Sequence, residues 1–189
     1  MKLLIINNAT KHLGEIEKLL GSHTHIYDIA EYGDIPESDL DKYDAFILSG
    51  GSLFSVEGNG EILHKEIKLI QNSTKPIFGI CFGFELIAHV FGAKLEYMEA
   101  KENGVLDIDV LVPDDLFLGI DKFSVYEAHR FVVRESPPEL MILAKSKDGV
   151  EAVKHTSLPI YGVQFHPEVF IDQVAGKEIF ENFLKIAQK

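Results

Sequence analysis

The sequence predicts an α/β fold: a single domain over residues 1–189, with a doubly wound, mostly parallel sheet and an antiparallel extension in its second half. Three observations predict it. Apolar strand-like runs alternate with amphipathic helical segments as far as Phe91, the pattern of a parallel sheet with helices on both faces. The first of these runs is almost continuously apolar instead of alternating, as expected where both faces are covered. From Ala93 onward, short strand-like pieces follow one another without helices between them. A chain of 189 residues suits one domain with a full core, and no repeat, low-complexity stretch or linker divides it.

Taken in order, Lys2–Asn7 is the first buried strand. A helix over Lys11–Leu20 carries Leu13, Ile16, Leu19 and Leu20 at helical spacing and is ended by Gly21. Thr24–Ile29 reads as a second strand, and Ala45–Ser49 as a third that stops at Gly50-Gly51. Gly60–Gln71 is an amphipathic helix, and Pro76–Ile80 is a fourth strand running into Cys81 and a helix over Gly83–Phe91. The extension contains Val105–Val112, Lys122–Tyr126, Phe131–Val133, Met141–Ala144, Glu151–Lys154 and Ile160–Phe165, closed by a helix from about Gln173 to Ala187.

The formal net charge is −12 and no cluster of lysine or arginine stands out, which argues against a nucleic-acid surface. No apolar run is long enough to cross a bilayer, and Met1–Asn7 reads as a strand instead of a signal peptide, so the chain is expected in the cytoplasm. His23 and His25 share one face of a strand-like segment, but no third ligand accompanies them, and they read as surface histidines. His89 reads as structural.

A single cysteine, Cys81, excludes an internal disulfide and any cysteine-rich zinc site. It is either an inert buried thiol or a nucleophile. Its surroundings bear on the choice: Gly79 and Gly83 flank it at i−2 and i+2, between a buried strand and a helix. Such a turn is crowded, and glycines let the two elements cross closely beneath the reactive side chain. The helix N-terminus then favours thiolate, and the Phe82 N–H is a ready donor to an oxyanion. A base is available in Tyr161-Gly-Val-Gln-Phe-His166-Pro167-Glu168. Pro167 stops the strand, and Glu168 can turn back to orient the imidazole. Thiol, histidine and carboxylate make a nucleophilic triad. The glycine pair at Gly50-Gly51 ends a parallel strand, where such sheets place ligands and expose backbone donors.

Three segments, Gly79-Ile-Cys81-Phe-Gly83-Phe-Glu85, Gly162-Val-Gln-Phe-His166-Pro-Glu168 and Ser49-Gly50-Gly51, resemble the three signatures of the class I (triad-type) glutamine amidotransferases. The resemblance covers essentially the whole chain and implies a flavodoxin-like sheet. It implies that Cys81 attacks the glutamine side-chain amide, that His166 passes the proton to leaving ammonia, and that water hydrolyses a glutamyl thioester while Glu168 orients His166. The oxyanion hole would use the N–H groups of Gly51 and Phe82. Gly50, Gly83, Glu85, Ala128 and His129 would line the substrate site, and no metal or organic cofactor is implied for this step.

Within that family, Glu151-Ala-Val-Lys-His155, Leu158–Val169 and Gly176–Phe183 are similar to the separate, archaeal-type glutaminases of GMP synthesis. That subgroup implies a partner, an ATP-pyrophosphatase synthetase subunit that adenylates XMP and takes up the ammonia. Glu85 replaces the usual Gln, Ser52 the usual Pro and Ala128 the usual Ser, and Asn7–His12 departs from the usual opening. These differences leave two further readings open, a stand-alone hydrolase of γ-glutamyl compounds and a non-catalytic regulatory relative.

Overall fold

The computed structural model describes residues 1–21, 25–36, 38–120 and 122–189. The strand–helix alternation of the first half folds as β1 (Lys2–Asn7), α1 (Leu13–Gly21), β2 (Ile26–Glu31), β3 (Ala45–Leu48), α2 (His64–Asn72), β4 (Ile77–Ile80) and α3 (Phe82–Val90). The second half supplies β5 (Leu95–Tyr97), β6 (Gly104–Val110), β7 (Lys122–Glu127), β8 (Phe131–Val133), β9 (Leu140–Lys145), β10 (Val150–His155), β11 (Ile160–Val163) and α4 (Gly176–Ile186).

One large sheet has the order β2-β1-β3-β4-β11-β10-β9-β6-β7, and β5 and β8 form a separate antiparallel pair. The first five strands of that order are parallel. The remaining pairings are antiparallel. The parallel strands are buried on both faces, which is why β3, β4 and β11 contain no exposed residue. One face packs Ile16, Leu19 and Leu20 of α1 and Ile179, Phe180 and Phe183 of α4 against Leu3, Ile5, Ile47 and Phe78. The other packs Leu69 and Ile70 of α2 and Leu86 and Ile87 of α3 against Leu4, Ile6, Phe46 and Ile77. Helices therefore cover both sides, as the strand–helix alternation predicts.

The element that positions the chemistry is β11. It is the last strand in the chain, yet it lies beside β4, with Gly162 opposite Gly79. The end of β4 and the end of β11 thus emerge side by side at the same edge of the sheet. His23 lies outside the described residues, and His25 precedes β2. His89 is exposed on α3. Among the described residues, no helix is long and apolar enough to cross a membrane.

Candidate active site

β4 ends at Ile80, α3 begins at Phe82, and Cys81 alone makes the turn. Its backbone sits at φ 50°, ψ −102°, a region that L-residues occupy only under constraint, at a cost of about 1–3 kcal/mol. The constraint is visible. The Cys81 N–H donates to Val163 O at 2.8 Å, and Cys81 O accepts from Glu85 N–H at 2.9 Å. The turn also needs its glycines. A methyl group on Gly79 would come within 2.6 Å of the Gly83 carbonyl and of Ile87, and one on Gly83 would strike the Leu48 carbonyl. Both positions let α3 lie close against β3 and β4.

His166 follows β11, and its N–H donates to Tyr126 O at 2.8 Å. Its ring Nδ1–H donates to Glu168 Oε1, also at 2.8 Å, which leaves Nε2 as the nitrogen available to the thiol. The Cys81 and His166 side chains are within hydrogen-bonding reach of each other. All three side chains are buried: Cys81 is 4%, His166 5% and Glu168 1% exposed. The turn that carries Glu168 is held by a Val169 N–H bond to His166 O at 3.2 Å. The start of α4 is pressed against it, for a side chain on Gly176 would collide with the Pro167 backbone.

Electrostatics follows from this arrangement. Burial pushes the Cys81 thiol up, and the charge and hydrogen bond of His166 oppose that rise. Burial alone would push His166 down, but the Glu168 charge, then Cys81, raise it well above the ordinary imidazole value. The cluster therefore favours an imidazolium braced by Glu168, while His166 offsets only part of the rise that burial imposes on the thiol. The α3 N-terminus adds its positive end beside the sulfur.

The loop after β3 approaches from the other side. A side chain on Gly50 would lie 2.9 Å from His166 Cε1 and 3.6 Å from Cys81 Cβ. Gly51 is pressed against the Asn8 carbonyl so closely that no Cβ fits. Beneath this loop, Asn8 N–H donates to Ser49 Oγ at 2.9 Å, and Asn8 Nδ2 donates to Ser49 O and to Glu66 Oε2, each at 3.2 Å. Glu66 is fully buried, and burial raises its carboxyl to about 8 despite the Asn8 hydrogen bond.

Glu85 points into the protein beside the site. It is 5% exposed and accepts from Gln164 Nε2 at 3.2 Å. Burial raises its carboxyl to about 7, opposed by that hydrogen bond and by the charges of His129 and His166. His129 is buried, with Nδ1 bonded to Phe131 O at 2.8 Å, while Ala128 is half-buried. Phe82 meets Phe54 edge-on at 5.6 Å, whereas Phe84 is fully buried against Gly162 as part of the core.

The structure adds residues that the motifs did not single out. The His12 ring lies edge-on to the His166 ring at 5.5 Å, and Tyr126 lies 6.2 Å from it. Gln164 and Ser49 lie inside quoted signatures and Asn8 inside the Asn7–His12 opening, but no role was read for them, and Glu66 was legible only as a member of a helical run. A cleft of about 440 Å³ lined by Ile35, Leu40, Lys65 and Lys68 shares no residue with this cluster.

Comparisons with known proteins agree with this picture. The family model described as "Glutamine amidotransferase class-I" matches residues 5–187. The chain is 36% identical over 181 residues to the glutamine-hydrolyzing GMP synthase subunit of Pyrococcus abyssi, covering 93% of this chain and 88% of that one. It is 35% identical over 194 residues to the corresponding protein of Methanosphaera stadtmanae, covering 100% and 99%. A crystal structure from Thermoplasma acidophilum, described as a GMP synthase subunit, superposes with a TM-score of 0.89 at 29% identity, covering 100% of this chain and 94% of that one. With its strained cysteine beside a carboxylate-bound histidine and a family match over nearly its full length, the chain belongs to the class I glutamine amidotransferases.

Proposed function

We propose that this protein hydrolyses glutamine to glutamate and ammonia and delivers the ammonia to a synthetase subunit that converts XMP to GMP. The observation that carries the hydrolytic reading is the continuous chain Cys81–His166–Glu168, with the sulfur on a strained turn at a helix N-terminus. The acceptor reading is supported by relatives named as glutamine-hydrolyzing subunits of GMP synthase, matched over most of both chains.

In the proposed reaction, the Cys81 thiolate attacks the side-chain amide carbon of glutamine. The negative charge that develops on the carbonyl oxygen faces the N–H groups of Phe82 and Gly51, which are fixed before reaction and so stabilise it without reorganisation. His166 gives its proton to the leaving nitrogen, ammonia departs, and a glutamyl thioester remains. A water molecule, deprotonated by His166, then attacks the thioester and releases glutamate. Glu168 holds the imidazole in one tautomer and stabilises its charged form. Gly50 keeps room beside His166 and Cys81, Gly83 lets α3 lie against β3 under the sulfur, and Glu85, with Ala128 and His129 nearby, accepts the substrate's α-ammonium. The partner is a separate ATP-pyrophosphatase synthetase subunit.

The test is reconstitution. The chain is mixed with such a synthetase subunit, XMP, ATP, Mg²⁺ and glutamine, and GMP and glutamate are measured. Glutamine-dependent GMP formation that disappears with Cys81→Ala, yet returns when free ammonia is supplied, is expected. Glutamate release without any coupling to GMP would remove the acceptor reading and leave the hydrolase. A second reading, a hydrolase of other γ-glutamyl compounds, is favoured by one observation, the buried carboxylate of Glu85 where the family usually has an amide. Turnover of γ-glutamyl peptides faster than of glutamine would establish it.

A further inference from the structure

A second group of side chains lies close to this site and shares with it only His129, which stands beside Glu85 at the substrate's α-ammonium. Glu127 closes β7, His129 lies in the turn to β8, and Glu151 is on β10. They are 0%, 3% and 1% exposed, and one ligating atom from each lies within 4.8 Å of the others. His129 Nδ1–H donates to Phe131 O at 2.8 Å. This fixes the ring orientation and leaves Nε2 as the nitrogen facing the carboxyls, the way a backbone carbonyl orients a metal-bound histidine. Nε2 lies 3.1 Å from Glu127 Oε2, yet it has no hydrogen-bond partner, and neither does either oxygen of Glu127. Glu151 is held by one oxygen, which accepts from Ser146 Oγ at 2.6 Å, while its other oxygen is also unpartnered.

The group thus gathers two buried carboxyls and one imidazole around one point, where Glu127 Oε1 and Oε2, His129 Nε2 and Glu151 Oε2 have no hydrogen-bond partner. Buried carboxyls are stabilised in their charged form when they coordinate a cation. We propose that Glu127, His129 and Glu151 bind one divalent transition-metal ion. Two carboxylates balance its charge, and the nitrogen–oxygen donor set suits Zn²⁺, Mn²⁺ or Co²⁺ better than a thiolate-seeking ion. The donors draw together on binding to metal–ligand distances of about 2.0–2.2 Å. The ion would tie the 127–131 turn to β10. Glu151 O accepts from Gln164 N–H at 2.9 Å, two residues before His166, so the ion would brace the catalytic edge of the sheet from behind. The role is structural and does not touch the reacting atoms.

The test uses the full chain carrying Cys81→Ser, so that the thiol is no competing ligand. The protein is stripped with a chelator, then titrated separately with Zn²⁺, Mn²⁺ and Co²⁺. Bound metal is counted by mass spectrometry, and Co²⁺ ligation is read from its visible spectrum. One equivalent is expected, with a melting temperature that rises on loading. Adding Glu151→Gln should weaken binding about 100-fold, and Ser146→Ala, which removes only the hydrogen bond to a ligand, about tenfold. Circular dichroism checks that each variant folds, and Ser146→Ala carries the comparison if Glu151→Gln does not fold. Absence of binding by all three ions, or affinity unchanged in the folded variants, overturns the proposal.

Discussion

At Cys81 the side chain that does chemistry is also the one that strains the backbone. At φ 50° a glycine would be relaxed, whereas any Cβ is crowded. Glycine ordinarily destabilises relative to alanine by about 0.5–1 kcal/mol within regular structure. Here the order should reverse: Cys81→Gly is expected to be more stable than Cys81→Ala by about 1 kcal/mol in urea unfolding, with both inactive. A more stable alanine variant would mean that the turn relaxes on its own. Four residues on, Glu85 should act as a pH-dependent grip. With its carboxyl raised to about 7, Glu85 is protonated below that pH and ionised above it. The facing groups are Gln164, His129 and His166. The KM for glutamine should therefore fall as pH rises through about 7, and Glu85→Gln should flatten that dependence. An identical KM profile in the variant would show that Glu85 does not meet the α-ammonium.

At the scale of elements, α2 carries a carboxyl in a place where a helix normally buries leucine. Glu66 is raised to about 8 from an ordinary value of 4.5. The sign follows: the folded state holds this proton more tightly than the unfolded chain. Its contribution to stability is full below about pH 4.5 and is lost as pH climbs toward 8. The steepest loss is about 1.4 kcal/mol per pH unit. Glu66→Gln preserves an acceptor for Asn8 and should remove that share of the slope in urea unfolding measured from pH 5 to pH 8. A variant with the parent's full slope would place the titration elsewhere.

Elements were legible in the sequence to different degrees, for identifiable reasons. β1, β3 and β4 could be read because strands covered on both faces have little choice but apolar side chains. α2 starts at His64 instead of Gly60, because residues 60–63 form turns, with the Ile62 and Leu63 N–H groups both bonded to Asn59 O. β5, only three residues long, was not anticipated, since its pairing with β8 is a tertiary choice without a local signal. Cys81, His166 and Glu168 were legible because glycine and proline mark their turns. Glu127 and Glu151 were not. Glu127 falls just past the strand read over Lys122–Tyr126, and Glu151 opens the strand read over Glu151–Lys154; only the return of β10 into the middle of the sheet buries Glu151.

For the whole molecule, the two halves are joined through hydrogen-bonded strands. β11 bridges β4 of the first half and β10 of the second, so neither half completes its sheet alone. Unfolding should consequently be one cooperative event. Far-UV circular dichroism, dominated by the helices, and tyrosine fluorescence, drawn from Tyr27, Tyr32 and Tyr43 as well as Tyr97, Tyr126 and Tyr161, should give one urea midpoint. Two separated midpoints would reveal a halved molecule.

The late position of β11 also has a meaning for synthesis. A ribosome that has delivered β1 through α3 has produced the cysteine, its glycines and the helix behind it, but the neighbouring place beside β4 is still vacant. The imidazole that draws off the thiol proton has not yet been made, and Val163, which ties down the Cys81 amide, does not exist. The nascent polypeptide therefore carries a dormant sulfur, and translation of the closing stretch arms it.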